Sequence, residues 1–185
     1  EGANGVSGTT VTVNADGMQV VETSINSGEL YFNSRTYVMW NWKANGSGVS
    51  NTDGSITSTV SANTESGFSI VSYTGNGSNT GATVGQGLSS APSMIVFKNR
   101  DSAVDWDVFH TSIGATNRLH LNTTAASATT DGFNNTAPTT SVFTVNFGSA
   151  NVNASSTDYI AYCFHSVEGF SKFGSYTGNG SADGT

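Results

Sequence analysis

The heptapeptide Ser-Tyr-Thr-Gly-Asn-Gly-Ser occurs twice in this 185-residue chain, at Ser72–Ser78 and, 103 residues later, at Ser175–Ser181. Seven identical residues in so short a chain do not recur by accident, and a fixed period is the mark of an array of like units. The first copy closes the stretch GFSIVSYTGNGS from Gly67; the second closes GFSKFGSYTGNGS from Gly169. A second matched pair, TYVMWNWKA from Thr36 and DYIAYCFHS from Asp158, precedes them. Both alternate in one register, with Val38, Trp40 and Trp42 matching Ile160, Tyr162 and Phe164, so both predict half-buried strands. Trp40 and Trp42 are accordingly expected in a core. The first pair carries some 19 additional residues, which the polar segment 45–66 accounts for. That segment reads as an insertion, a long loop or surface hairpin, with Ile56 and Val60 too sparse to make a core alone. An offset of about 100 residues is the size of one small β-sandwich. The expected division is 1–66, the end of a preceding unit plus the insertion; 67–168, one sandwich unit; and 169–185, the start of a following unit.

The expected fold class is all-β, an antiparallel β-sandwich or jelly roll. Gly, Ser, Thr and Asn make up about half the residues, which would suit a disordered chain. Yet 36% of residues are apolar and 10% aromatic, and they fall in alternating clusters that can be buried. Asp16-Gly17 lies between short alternating runs and predicts a hairpin. Further strands are predicted at Leu30–Phe32, Tyr37–Trp42 and Phe68–Tyr73. Ser93–Asn99 reads as a central strand covered on both faces. Asp105–His110 sets Trp106, Val108 and His110 against Asp107 and Phe109. Arg118–Asn122 sets Leu119 and Leu121 against His120 and Asn122. Ser141–Phe147 is expected to point Phe143, Val145 and Phe147 inward. No stretch shows helical periodicity.

Charge and composition narrow the partners. The net charge is −7 and the six basic residues form no stripe, so nucleic acid is not an expected partner. No apolar run approaches membrane-spanning length. The single cysteine, Cys163, excludes an internal disulfide and reads as a small buried hydrophobe. His110, His120 and His165 lack metal-ligand spacing, and His120 and His165 are expected to face solvent. Asn51-Thr52-Asp53-Gly54-Ser55 has a faint calcium-loop look but too few acids, and reads as a turn. No metal and no cofactor is expected.

The ordered set YTGNG, GLSSAPSMIVFKNR, WDVFH, LHLNTT, FNNTAPTTSVFTV, DYIAYCF and GFSKFGSYTGNG covers about Tyr37 to Gly184. It resembles an uncharacterised domain found, often in tandem, in large virion proteins of tailed bacteriophages, especially marine ones. The resemblance implies a lectin-like β-sandwich in a tail-fibre, appendage or head-surface protein. It implies no catalytic residues.

Two candidate sites follow from the residues. Asp105 and Asp107 form a paired-carboxylate pattern of the glycosidase kind. No other acid takes a matching place in the repeat, and they are expected to solvate an outer face opposite Trp106 and Val108. Trp106, with Asp107, His110 and Asn122, offers an aromatic platform beside hydrogen-bonding groups, the chemistry of a glycan site; the alternative is that Trp106 packs inside the sandwich. The leading expectation is a non-enzymatic virion structural protein, homo-oligomeric, partnered by sister subunits, other virion proteins and host-surface glycan. A secreted bacterial carbohydrate-binding module and a self-assembling extracellular filament subunit are the alternatives.

Overall fold

Residues 9–14, 17–22, 40–147 and 149–183 are described by the computed structural model, and they fall into two compact units, 1–41 and 42–185. In the first unit β1 (Thr9–Asn14) and β2 (Gly17–Glu22) pair antiparallel, from Thr9↔Glu22 to Asn14↔Gly17, as the Asp-Gly signal predicts. The predicted strand at Leu30–Phe32, and the Tyr37–Met39 part of the next, lie outside the described residues.

The second unit is an antiparallel all-β sandwich with unequal layers. Its strands are β3 (Val49–Asn51), β4 (Ser58–Asn63), β5 (Phe68–Thr74), β6 (Ala82–Gly85), β7 (Met94–Asn99), β8 (Asp107–His110), β9 (Asn117–His120), β10 (Ala128–Thr129), β11 (Val142–Val145) and β12 (Asp158–Phe164). One four-residue helix, α1 (Ala150–Asn153), follows β11. Eight strands form one sheet in the order β10-β9-β8-β7-β12-β5-β4-β3, while β6 and β11 pair as the second layer. The division falls between Asn41 and Trp42 rather than at Gly67, because β3 and β4 belong to the large sheet.

Alternation in the large sheet gives it two different faces. Val60, Val71, Tyr73, Ile95, Phe97, Phe109, Tyr159, Ala161 and Cys163 point under the second layer and join Val84, Phe143, Val145 and Phe133 in the main core. Phe68, Val96, Val108 and Phe164 point the other way, with Ile70, Met94, Trp106, Leu119 and Tyr162 packed around them. The central strand β7 is thus apolar on both sides, as its continuous apolar run predicts.

Aromatic contacts run through the main core without a break. Tyr159 stacks on Tyr73 at 5.3 Å, Tyr73 meets Phe143, Phe143 meets Phe97 at 5.4 Å, and Phe133 bridges Phe97 and Phe109. Buried hydroxyls need partners, and both tyrosines use theirs to hold α1. Tyr73 donates to the Val152 carbonyl at 2.7 Å; Tyr159 donates to Ala150 O and accepts from Ala154 N. Serines fasten the end of β6, with Ser58 donating to Gly85 O and Ser69 to Gln86 O.

The first heptapeptide is the corner between β5 and β6, and it is gripped by the segment after α1. Gly75 N donates to Thr157 O and Gly75 O accepts from Ser156 N. Asn76 N donates to Asn153 Oδ1, and Asn153 Nδ2 returns a bond to Asn76 Oδ1. A side chain at position 75 would run into the Ala154 carbonyl, and Gly77 sits at φ +69°, so both glycines are required by the close approach and the left-handed turn. The second heptapeptide keeps the left-handed turn, with Gly180 at φ +75° and Ser181 N donating to Asn179 Oδ1, but Tyr176 is 95% exposed and the segment lies outside any strand.

Several expectations are corrected. Trp40 and Trp42 are 76% and 55% exposed and lie outside any strand. The flanks of β5 are taken by β4 and β12, so this segment finds no place beside it. Trp42 instead lies over Phe68 and Phe164 on the open face. The expected insertion is the hairpin β3–β4, but Ile56 and Val60 are part of the core. Phe147 is half-exposed because β11 ends at Val145 and the chain turns. His165 is buried rather than solvent-facing.

Burial raises the Cys163 thiol to about 12 and pushes the Tyr73 and Tyr159 hydroxyls upward as well. Each folded value lies above the unfolded one, so the fold favours the protonated forms. The contribution of these groups should be constant below about pH 9 and fall from there toward pH 12, by on the order of 1 kcal/mol per pH unit for the thiol. Urea titrations across that range check the slope. A thiol reagent at neutral pH should label Cys163 only in denaturant.

Candidate functional site

β8 carries the residues that the sequence singles out, and its alternation separates them. Asp107 points into the covered side and is fully buried. It is not the solvated acid expected from the sequence: its strand neighbour Phe109 is buried on the same side, and it is Trp106, Val108 and His110 that take the opposite face, where Val108 joins the second cluster.

Four groups surround the Asp107 carboxylate. Arg118 Nη1 donates to Oδ2 at 3.0 Å, Ser149 Oγ to Oδ2 at 3.2 Å and Asn151 Nδ2 to Oδ1 at 2.9 Å. His120 Nδ1 lies 3.1 Å from Oδ1, at contact distance but without the alignment of a hydrogen bond. His120, expected to face solvent, keeps only 13% of its side chain exposed, because β9 pairs it directly opposite Asp107. Ser149 is also the N-cap of α1, its Oγ accepting from Asn151 N. One carboxylate therefore joins β8, β9 and the start of α1.

This arrangement braces the fold and leaves the carboxylate no free edge for a substrate. The Ser149 hydroxyl is oriented by a carboxylate and by Arg118 rather than by an imidazole, so it lacks the base of an activated nucleophile. Asp105 is half-exposed; its Oδ1 accepts from Asn122 Nδ2 at 2.9 Å and its Oδ2 lies 3.9 Å from His120 Nδ1. Among the described residues no group of three His, Cys, Asp or Glu side chains is placed to hold a metal ion, and no helix is long and apolar enough to cross a membrane. Asn51 and Asp53 bond to each other in the turn that closes β3–β4.

Of the four expected glycan residues, Trp106 and Asn122 come together. Trp106 N donates to Asn122 Oδ1 at 3.0 Å, and Lys98 Nζ stands 5.8 Å from the indole centroid. His110 shares the open face but sits about 13 Å farther along β8, its Nδ1 accepting from Ser112 N. Asp107 belongs to the opposite side. Arg118, Ser149 and Asn151, which complete the buried cluster, carry no spacing signal in the sequence; they meet Asp107 only through sheet pairing and the return of α1.

An antiparallel sandwich with a buried ionic brace on one side of the large sheet and a second, aromatic-rich cluster on the other describes the class. Residues 2–185 match a family described as a domain of unknown function, DUF7483, and the chain belongs to that family. No curated protein and no solved structure matches it.

Removing one partner from a buried ion pair leaves an uncompensated charge, at a cost of about 3–5 kcal/mol. Arg118→Ala should lower stability by about that amount, whereas the exposed Asp105→Asn should cost under about 1 kcal/mol. Urea denaturation of both variants measures the difference.

Proposed function

We propose that this chain is a non-enzymatic structural component of a tailed-bacteriophage particle: a fibre, appendage or head-surface subunit built from sandwich units in series. The observation that carries this reading is the heptapeptide recurring at unit spacing, one copy locked into a sandwich corner and the other lying outside any sheet. Such a corner is useful to a chain that repeats its units in a line, each contacting mainly its neighbours. Low charge, abundant Gly, Ser, Thr and Asn, and a single buried cysteine suit a particle exposed to the medium.

In this reading the open face meets host-surface glycan. The Trp106 indole, partly buried and flanked by Lys98, Asn122 and Asp105, supplies an apolar platform edged by donors and acceptors, the composition of small-ligand sites generally. Sister subunits and other virion proteins are the remaining partners. A self-assembling filament is the second reading, favoured by the exposed second heptapeptide, which strand exchange between copies would bury.

Immunogold labelling of native particles tests the first reading. Gold on tails, fibres or heads is the expected result; gold along a continuous polymer with no capsid would favour the filament. For the glycan contact, Trp106→Ala should weaken binding to immobilised host polysaccharide about tenfold or more with an unchanged far-UV spectrum. Loss of the folded spectrum would instead assign Trp106 to packing.

A further inference from the structure

The open face of the large sheet changes character along its strands. One pairing row is apolar from β9 to β5, with Leu119, Val108, Val96, Tyr162 and Ile70 side by side. Farther along the same face the residues on β4 and β5 become short and polar, while Ile160 and Lys98 continue their row on β12 and β7. Thr59 pairs opposite Ser72, and Thr74 opposite Asp158. Thr57 and Arg100 flank that second row, and together these six line a groove of about 220 Å³.

Its size and lining define what fits. Sites for drug-sized ligands start near 300 Å³, so this groove takes one small ligand rather than a chain. Hydroxyls both donate and accept, and a carboxylate accepts. Thr74 Oγ1 donates to Asp158 Oδ1 at 2.7 Å, which orients that carboxylate. Asp101 lies beside it, its Oδ2 accepting from Asp158 N at 2.7 Å. Two neighbouring carboxylates and a net charge of −7 disfavour an anion. A hard cation would need more oxygen ligands of high charge. A neutral ligand with several hydroxyls satisfies the donors and acceptors together.

We propose that this groove binds a single neutral sugar residue, a second contact point on the face that carries Trp106. The proposal rests on the glycan reading above and adds a location and a ligand class to it. One step beyond the paired Phe97 and Asp107, Trp106 faces Lys98, which pairs with Ile160, which pairs with Ser72. That row spans three strand spacings, about 14 Å, so one short oligosaccharide can reach both points.

Amide chemical shifts of the whole chain, titrated with methyl glycosides, provide the test. The probes are neutral hexosides, an N-acetylhexosaminide and a glucuronide, with calcium chloride as a separate arm. A neutral glycoside should shift the amides of residues 57–59, 72–74 and 158, in the parent and in Trp106→Ala alike. Thr74→Val should weaken that binding about tenfold, as expected for a lost hydrogen bond to ligand, and Ser72→Lys should abolish it by filling the groove. Shifts confined to the Trp106 end would overturn the groove while leaving the glycan reading intact. Shifts at the groove with glucuronide or calcium alone would overturn the ligand class, and no shift with any probe would overturn the proposal.

Discussion

Two strands cannot cover eight. The structure depends on how β6 and β11 nevertheless close a core over the large sheet, with apolar side chains filling it and polar bonds fastening the turns and the helix between them. Phe143 and Val145 on β11 and Ala82 and Val84 on β6 supply apolar contacts, and the turns and the short helix that make up the rest of the roof add Leu88, Phe133 and Val152. A four-residue helix has no stability of its own. It is held because Tyr73 and Tyr159 reach through the core to its carbonyls and because Asp107 fixes its capping serine. The other side of the sheet has no such roof; its apolar row is buried in a second, smaller cluster in which Ala44, Trp106 and Phe173 pack over Phe68, Val96, Val108 and Phe164.

The alternation within individual strands was legible in the sequence; which side would be covered was not. The split of Trp106, Val108 and His110 from Asp107 and Phe109 is as the period predicts. Both sides of β8 carry apolar residues, however, so the pattern cannot say which one lies under β6 and β11. Assigning Asp107 to solvent followed from its charge, whereas Phe109 beside it was the better guide. The β3–β4 hairpin was read as peripheral because it holds few apolar residues. Few suffice there: Gly87 approaches so closely that a side chain on it would strike Val60. For Trp40 and Trp42 the repeat itself misled, since matching them to Tyr162 and Phe164 presumes a place in the sheet that β4 occupies.

The candidate sites were less legible than the fold, and for one reason. The buried cluster joins residues from 107 to 151, and the groove joins residues from 57 to 158. Neither has a local motif, because each is assembled by strand pairing rather than by spacing along one segment. Threonine and serine outside a strand signal only turns; side by side on the paired strands β4 and β5, next to Asp158 of β12, they become a surface of hydroxyls.

The two copies of the heptapeptide also bear on how such a chain can change in length. Genetic exchange between the stretches encoding them would delete or duplicate one whole period while leaving an intact Ser-Tyr-Thr-Gly-Asn-Gly-Ser at the seam. The rejoined corner would still present its two glycines and its asparagine to an Asn153-like partner. If the units do repeat in series, growth and shortening by whole periods would conserve the same residues that turn the chain from sheet to roof.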